Sequence, residues 1–253
     1  MTALLAALTF VMAVTAAARS TWSPCGLSML STITPIGERG RNHRYGSTAA
    51  WFILGAVLGG ATLGTGAALL AAGVGRLGLS PAAALGAAAV AAAVTIASDL
   101  HLGGFRLPVH TRQVNETWLD QYRSWVYGGG FGWQIGVGVA TYVTTAAVYL
   151  MIVMAALIGS PLIALTLMTA FGLVRGLAVL LGHSLTSPDR LRALHRRLAE
   201  RLPAAQRAVV IVQAVVLAAA SGAAWGPLPS AVLGLVVLGV AVVRQPRPAT
   251  RPA

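Results

Sequence analysis

Six stretches without a charged side chain dominate the chain: residues 2–18, 20–37, 45–75, 77–98, 124–174 and 208–243. A membrane helix needs about 20 predominantly apolar residues, and runs this long leave few other folds open. In lipid, every backbone N–H and C=O must be bonded inside the spanning structure, so only helices and closed barrels cross. A barrel strand alternates apolar and polar positions, and the run Ala82–Ala97 does not alternate. The expected class is therefore all-α: a polytopic transmembrane helix bundle.

Breaks inside the long stretches set the number of spans. Gly159-Ser160-Pro161 divides 124–174, and Gly226-Pro227-Leu228-Pro229 divides 208–243. This predicts about seven spans, near 5–36, 47–73, 79–98, 129–157, 161–182, 207–224 and 229–243. The stretch from Leu4 to Ile36 is too long for one straight crossing at about 1.5 Å per residue, and Arg19, Pro24 and Pro35 interrupt it. It reads as one bent helix or as a hairpin turning at Arg19, which gives eight helices. Ala16-Ala17-Ala18 also resembles a signal-peptide cleavage site, but residues 2–18 lack the basic segment that usually precedes one.

Charged residues make up 9% of the 253, against about 25% in soluble domains. That excludes an ordinary soluble enzyme and a disordered chain. It also excludes a nucleic-acid binder despite a net charge of +12, because the charge sits in short gaps rather than on a water-soluble face. The first partner is the lipid bilayer. All 18 basic residues are arginine, a bias that high-GC bacterial coding produces. Arg39, Arg41 and Arg44 lie in one gap, and Arg190, Arg192, Arg196, Arg197, Arg201 and Arg207 in another. Arg244, Arg247 and Arg251 lie in the tail. With seven spans these segments fall on one side, as does 99–127 with Arg106, Arg112 and Arg123. By the positive-inside rule that side is cytoplasmic, which predicts a multi-pass protein of the bacterial cytoplasmic membrane with its C-terminus in the cytoplasm.

Two amphipathic stretches flank the spans. Leu191, Leu194, Leu198 and Leu202 fall at helical spacing among arginines, with Ser187-Pro188 to start a helix and Pro203 to end it. This reads as a basic helix on the anionic leaflet. Val114, Trp118, Tyr122 and Trp125 share a second face, and with Tyr127 and Trp133 form an aromatic interface belt.

Chemistry-bearing residues are sparse. In Ser23-Pro24-Cys25-Gly26-Leu27-Ser28-Met29-Leu30, Pro24 removes a backbone donor beside the single thiol. Arg19, six residues earlier, could stabilise a thiolate at Cys25, although a lone cysteine is also often a small buried hydrophobe and Arg19 can simply mark a helix end. Met29 stands four residues after Cys25, on the same helical face. Soft sulfur ligands suit Cu(I), but two sulfurs do not make a metal set, and no metal is expected. In Tyr127-Gly128-Gly129-Gly130-Phe131-Gly132-Trp133-Gln134-Ile135-Gly136 the glycines permit either an unwound segment or very close helix packing, and packing is the simpler reading. Thr141, Thr144 and Thr145 could offer hydroxyls to a solute or to a neighbouring carbonyl. Asp99, His101, His110, Glu116 and Asp120 are irregularly spaced in an expected loop, and Arg175 reads as snorkelling. The sequon at Asn115 has no meaning on a cytoplasmic face. No phosphate-binding loop or other cofactor motif is present.

Ser23-Pro24-Cys25 near the first span and Phe131-Gly132-Trp133 opening the fourth together resemble the CcdA/DsbD transmembrane family of cytochrome c biogenesis and thiol–disulfide interchange. The resemblance implies two inverted three-helix repeats, about 5–98 and 129–224, in one membrane domain, with an extra C-terminal helix at about 229–243. It implies thiol-linked electron transfer or protein maturation, with a thioredoxin-like or other membrane protein as partner. Cys25 would be the exchanging thiol, Pro24 its kink and Arg19 its stabiliser. Met29, Phe131, Trp133, Gln134 and Gly136 would line the site. Gln134-Ile135-Gly136 stands where that family carries Thr-Pro-Cys, so this would be a divergent member whose second thiol comes from the partner. A small-solute or metal exporter on the same scaffold, and a non-catalytic membrane scaffold, are the alternative expectations.

Overall fold

Five helices begin on the same dipeptide, Ser or Thr followed by Pro, at Ser23, Thr34, Ser80, Ser160 and Ser187. Proline fits the first helical position, where its missing N–H is not needed, and a hydroxyl at the preceding position can take a free donor of the first turn. Ser23, Thr34, Ser80 and Ser187 do so, accepting from the N–H groups of Gly26, Gly37, Ala83 and Arg190. In a computed structural model, residues 2–108 and 117–227 are described.

The helices are α1 (Thr2–Arg19), α2 (Pro24–Thr32), α3 (Pro35–Gly40), α4 (Tyr45–Arg76), α5 (Pro81–Asp99), α6 (Trp118–Gln121), α7 (Ser124–Val137), α8 (Ala147–Leu157), α9 (Pro161–Leu177) and α10 (Pro188–Trp225). No strand occurs among the described residues. Among the described residues, five helical segments are long and apolar enough to cross a membrane: Thr2–Trp22, Tyr45–Arg76, Pro81–Asp99, Pro161–Gly182 and Pro188–Trp225. The all-helical membrane class is thus as expected.

Several boundaries differ from the sequence expectation. The stretch 129–157 is not one helix. α7 ends at Val137, residues 138–146 leave the helical path, and α8 starts at Ala147. Gly138, at φ +75°, makes the turn away from α7. Pro203 does not end the surface helix either; α10 runs through it to Trp225. Proline there removes the bond to the Ala199 carbonyl, but Ala199 is exposed, so water can take that oxygen. At the first expected span, α1 stops at Arg19, a short 3-10 turn covers Ser20–Trp22, and α2 restarts at Pro24. The helix expected at 229–243, the tail arginines, Arg112, Val114, His110, Glu116, the Asn115 sequon and the Asp120 side chain lie outside the described residues.

α4 is the central element, packed along α7 on one side and α9 on the other, while α5 pairs with α10 and α1 lies against α8, α9 and α10. Small residues set these distances. A Cβ added at Gly132 would overlap the Phe52 carbonyl of α4, and one at Gly136 or Gly172 would overlap that of Ala56. Lipid offers helices no hydrophobic drive to associate, so close backbone approach through small residues supplies the packing. The core forms two clusters. One joins α1, α5, α8, α9 and the far half of α10 around Met12, Met151, Met154, Met168 and Phe171. The other joins α2, α7 and the start of α4 around Leu30, Phe52, Tyr127 and Phe131.

The arginine-rich gaps meet at one end. The Trp22 indole N–H donates to the Leu198 carbonyl at 2.7 Å, Ser31 Oγ lies 3.1 Å from His195 Nε2, and the Tyr45 hydroxyl donates to the Val179 carbonyl at 2.8 Å. Arg39, Arg44 and the arginines of the first half of α10 are exposed there. Leu194 and Leu198 face inward onto the second cluster.

The glycine seam predicts an asymmetric substitution pattern. Gly172→Leu should lower stability by at least about 1–3 kcal/mol, the usual cost of overpacking. Gly66→Ala, whose added carbon meets nothing within 4 Å, should cost nothing. Thermal unfolding of the two variants in detergent micelles checks this.

Candidate functional site at a break in the bundle

Between α7 and α8 the backbone groups of residues 138–146 lose their helical partners. Non-helical backbone at membrane depth is stable only where protein or an internal cavity satisfies it. Asp99, the last residue of α5, does this at one end of the break. Its Oδ1 accepts the Ala146 N–H at 2.7 Å, and its Oδ2 accepts the Thr145 hydroxyl at 2.6 Å and the Gln213 amide at 3.0 Å. Three elements, α5, the break and α10, are joined through one carboxylate. Arg19, at the end of α1, lies within electrostatic range of Asp99 but forms no ion pair with it among the described residues.

Arg175 of α9 lies at the other end of the break. It is only 3% exposed, so it does not snorkel to the surface as expected. Its guanidinium sits 5.5 Å from the Phe171 ring centroid. A Cβ at Gly138 would lie 3.3 Å from its Nη1. Among the described residues, four buried side-chain polar atoms have no hydrogen-bond partner: Arg19 Nη1, Thr141 Oγ1, Arg175 Nε and Gln213 Oε1.

The residues singled out from sequence do not gather into one site. Pro24 does not kink a continuous helix; it sits at the first position of α2, capped by Ser23. Cys25 is buried and lies in electrostatic range of Arg175, while Arg19 lies in range of Asp99. Met29 and Phe131 are core members of the second cluster, and Phe131 stacks on Trp118 at 6.1 Å. Gly136 is a packing position against α4. Gln134 is half-buried. Trp133 is 44% exposed on the outer surface, its indole N–H donating to Thr62 Oγ1 at 3.1 Å. With Trp51, Leu54, Leu58 and Trp125 it lines an open apolar cleft.

Sequence reasoning missed a second polar centre. Glu38, fully buried, accepts from the Thr48 hydroxyl at 2.5 Å, the Tyr127 hydroxyl at 2.7 Å and Arg41 Nη1 at 2.9 Å. His43 Nδ1 lies 3.2 Å from the same Tyr127 oxygen. This network ties α3 to α4 and α7. The available signal was a lone glutamate at the edge of an otherwise charge-free run. Asp99 was visible, but as a loop residue, and its partners lie 46 and 114 positions away.

Comparison with known proteins gives one consistent set of relatives. The chain is 37% identical over 164 residues to the methylamine utilization protein MauF of Paracoccus versutus, covering 63% of this chain and 59% of that protein. It is 33% identical over 198 residues to MauF of Paracoccus denitrificans, covering 76% and 69%. It is 32% identical over 160 residues to MauF of Methylorubrum extorquens, covering 60% and 54%. The chain therefore spans less than two thirds of the Paracoccus versutus relative. No family model and no solved structure matches it.

These relatives overturn the CcdA/DsbD resemblance and the thiol-linked function drawn from it. Solute or metal export on that scaffold falls with it. The likeness rested on two short motifs, and the structure uses both locally: Ser23-Pro24 starts a helix, and Gly132 of Phe131-Gly132-Trp133 packs against α4.

The two polar centres should both carry stability. Tyr127→Phe removes one hydrogen bond to a buried carboxylate and should cost about 1.5–3 kcal/mol. Asp99→Ala leaves three donors without their acceptor and should cost more than Tyr127→Phe. Melting temperatures of the purified proteins give the comparison.

Proposed function

The chain belongs to the MauF family, and from that we propose that it is a membrane-embedded component of a methylamine-utilization system that does not itself carry methylammonium. The relatives' shared name supports the first half of this reading. The observation that carries the second is the charge inside the bundle. A primary amine such as methylamine is a cation at neutral pH, as lysine is. Around the break between α7 and α8 it would meet two buried guanidiniums, Arg19 and Arg175, and one carboxylate. Both oxygens of that carboxylate are already taken by Thr145, Ala146 and Gln213. Like charges a few ångströms apart in a partly dry interior repel by several kcal/mol. A centre of this kind rejects an ammonium ion.

The finer architecture belongs to the same reading. α7 and α8 together form a sixth, interrupted passage beside the five continuous ones. The chain then divides into two halves, each opening on a broken element (α1–α2, α7–α8), followed by a long helix (α4, α9) and a closing one (α5, α10). The meeting of Arg39 and Arg44 with the arginines of α10 at one end supports a cytoplasmic placement of that end in a bacterial inner membrane.

Two measurements test this. Disrupting the gene in its host should abolish growth on methylamine and spare growth on succinate; unimpaired growth on methylamine removes the reading. Everted and right-side-out vesicles with and without the protein should take up labelled methylammonium at equal rates. Uptake that depends on the protein would overturn the claim that it is not a carrier.

A further inference from the structure

α4 and α7 run side by side in the same direction. Carbons added at Gly128, Gly132 and Gly136 would meet Thr48, Phe52 and Ala56 in turn. Both helices therefore start at one end, where Arg44 precedes α4 and Arg123 precedes α7. Both arginines are exposed, and among the described residues neither forms an ion pair.

Beyond these two cations the helices part on their outer side. Trp51, Leu54 and Leu58 of α4 and Trp125 and Trp133 of α7 line an apolar cleft of about 360 Å³, and all five are exposed. Its floor stays open because a carbon added at Gly129 would meet nothing nearer than 4.0 Å. Arg44, Trp51 and Leu58 recur at seven-residue spacing, which keeps them on one face of α4. Arg123 stands seven residues before Gly130, another lining residue, on α7. The Trp51 and Trp125 rings, 6.2 Å apart, join the two walls nearest the arginines.

The shape of the cleft selects its occupant. From Trp125 to Trp133 α7 rises about 12 Å, so the volume has a mean cross-section of about 30 Å². A helix about 10 Å across needs about 80 Å². One extended hydrocarbon chain fits, and a neighbouring helix does not. Depth agrees with this. α4 has 32 residues, about 48 Å of helix, against a hydrocarbon layer of about 30 Å. Arg44 then stands at headgroup level and Trp51 about 10 Å deeper, where acyl chains begin and tryptophan is favoured.

We infer that this cleft binds one anionic phospholipid, its phosphate at the Arg44 and Arg123 end and one acyl chain laid along the tryptophans. Guanidinium is the side chain best matched to phosphate oxygens. A zwitterionic headgroup would bring its own ammonium back to the same cations, so the site prefers a lipid of net negative charge. The bound lipid ties the start of α7 to the start of α4. This site rests on the membrane placement of the helices and not on the methylamine reading.

Native mass spectrometry of the full chain, released from neutral maltoside micelles with equimolar phosphatidylglycerol and phosphatidylcholine of matched chains, tests the site. The one-lipid adduct should carry phosphatidylglycerol over phosphatidylcholine by about tenfold, the scale two arginines set at an anionic headgroup. Arg44→Gln combined with Arg123→Gln should remove the preference. Arg196→Gln combined with Arg197→Gln, exposed on α10, should keep it. Gly129→Leu, which fills the floor, should lose most of the adduct with either lipid. Leu54→Gln, on an exposed wall residue, should weaken it as well and serves if Gly129→Leu does not fold. Equal retention of the two lipids by wild type, or an equal loss of preference in the α10 pair, overturns the site. So does an adduct that the cleft variants leave intact, or a lipid-free dimer, which would make the cleft a contact between copies.

Discussion

Asp99 holds together the place where a helix inside the bundle has come undone. A backbone that leaves the helical path among apolar neighbours must find other partners, and here a single carboxylate supplies three bonds at once. One of those comes from α10 and two from the end of the break, so the position of α8 relative to α5 and α10 depends on this group. Glu38 plays the equivalent part nearer the arginine-rich end, where it collects donors from α4, α7 and Arg41. Two carboxylates thus fix two segments that the apolar surfaces alone would leave free to slide.

Between these polar points the packing is steric. α4 meets α7 and α9 through glycines set against carbonyl oxygens. This leaves little tolerance for rotation of any of the three helices, since a turn of either neighbour would bring a side chain into the space of a hydrogen atom. The Gly-rich run in α7 is therefore a fitting surface, and the unwinding occurs just beyond it, from Gly138 onward.

The class of fold was legible because long charge-free runs admit only helices in lipid, and the helix starts were legible because Ser-Pro and Thr-Pro act locally. The break at 138–146 was not. No proline marks it, and the group that makes it affordable lies 46 residues upstream of Thr145. Pro203 misled in the opposite direction, since α10 runs through it with the stranded Ala199 carbonyl on an exposed residue. Arg175 was read from its distance to the end of a span, whereas its burial follows from α9 packing beneath α4, which a linear pattern does not contain. The family comparison failed for a related reason: a proline before a cysteine and a Phe-Gly-Trp triplet are also what a capped helix start and a tight seam require.

α10 has a mechanical consequence. Its arginine-rich half carries exposed arginines and is pinned to the Ser20–Trp22 turn by Trp22 and to α2 by the contact of Ser31 with His195, and the same unbroken helix reaches Gln213. From Pro188 to Gln213 is 25 residues, about 38 Å of rod at 1.5 Å per residue. A push on the arginine-rich end arrives at the amide that Asp99 grips, with Pro203 as the one helix-interior proline along the way. The helix is a lever whose short arm ends inside the protein.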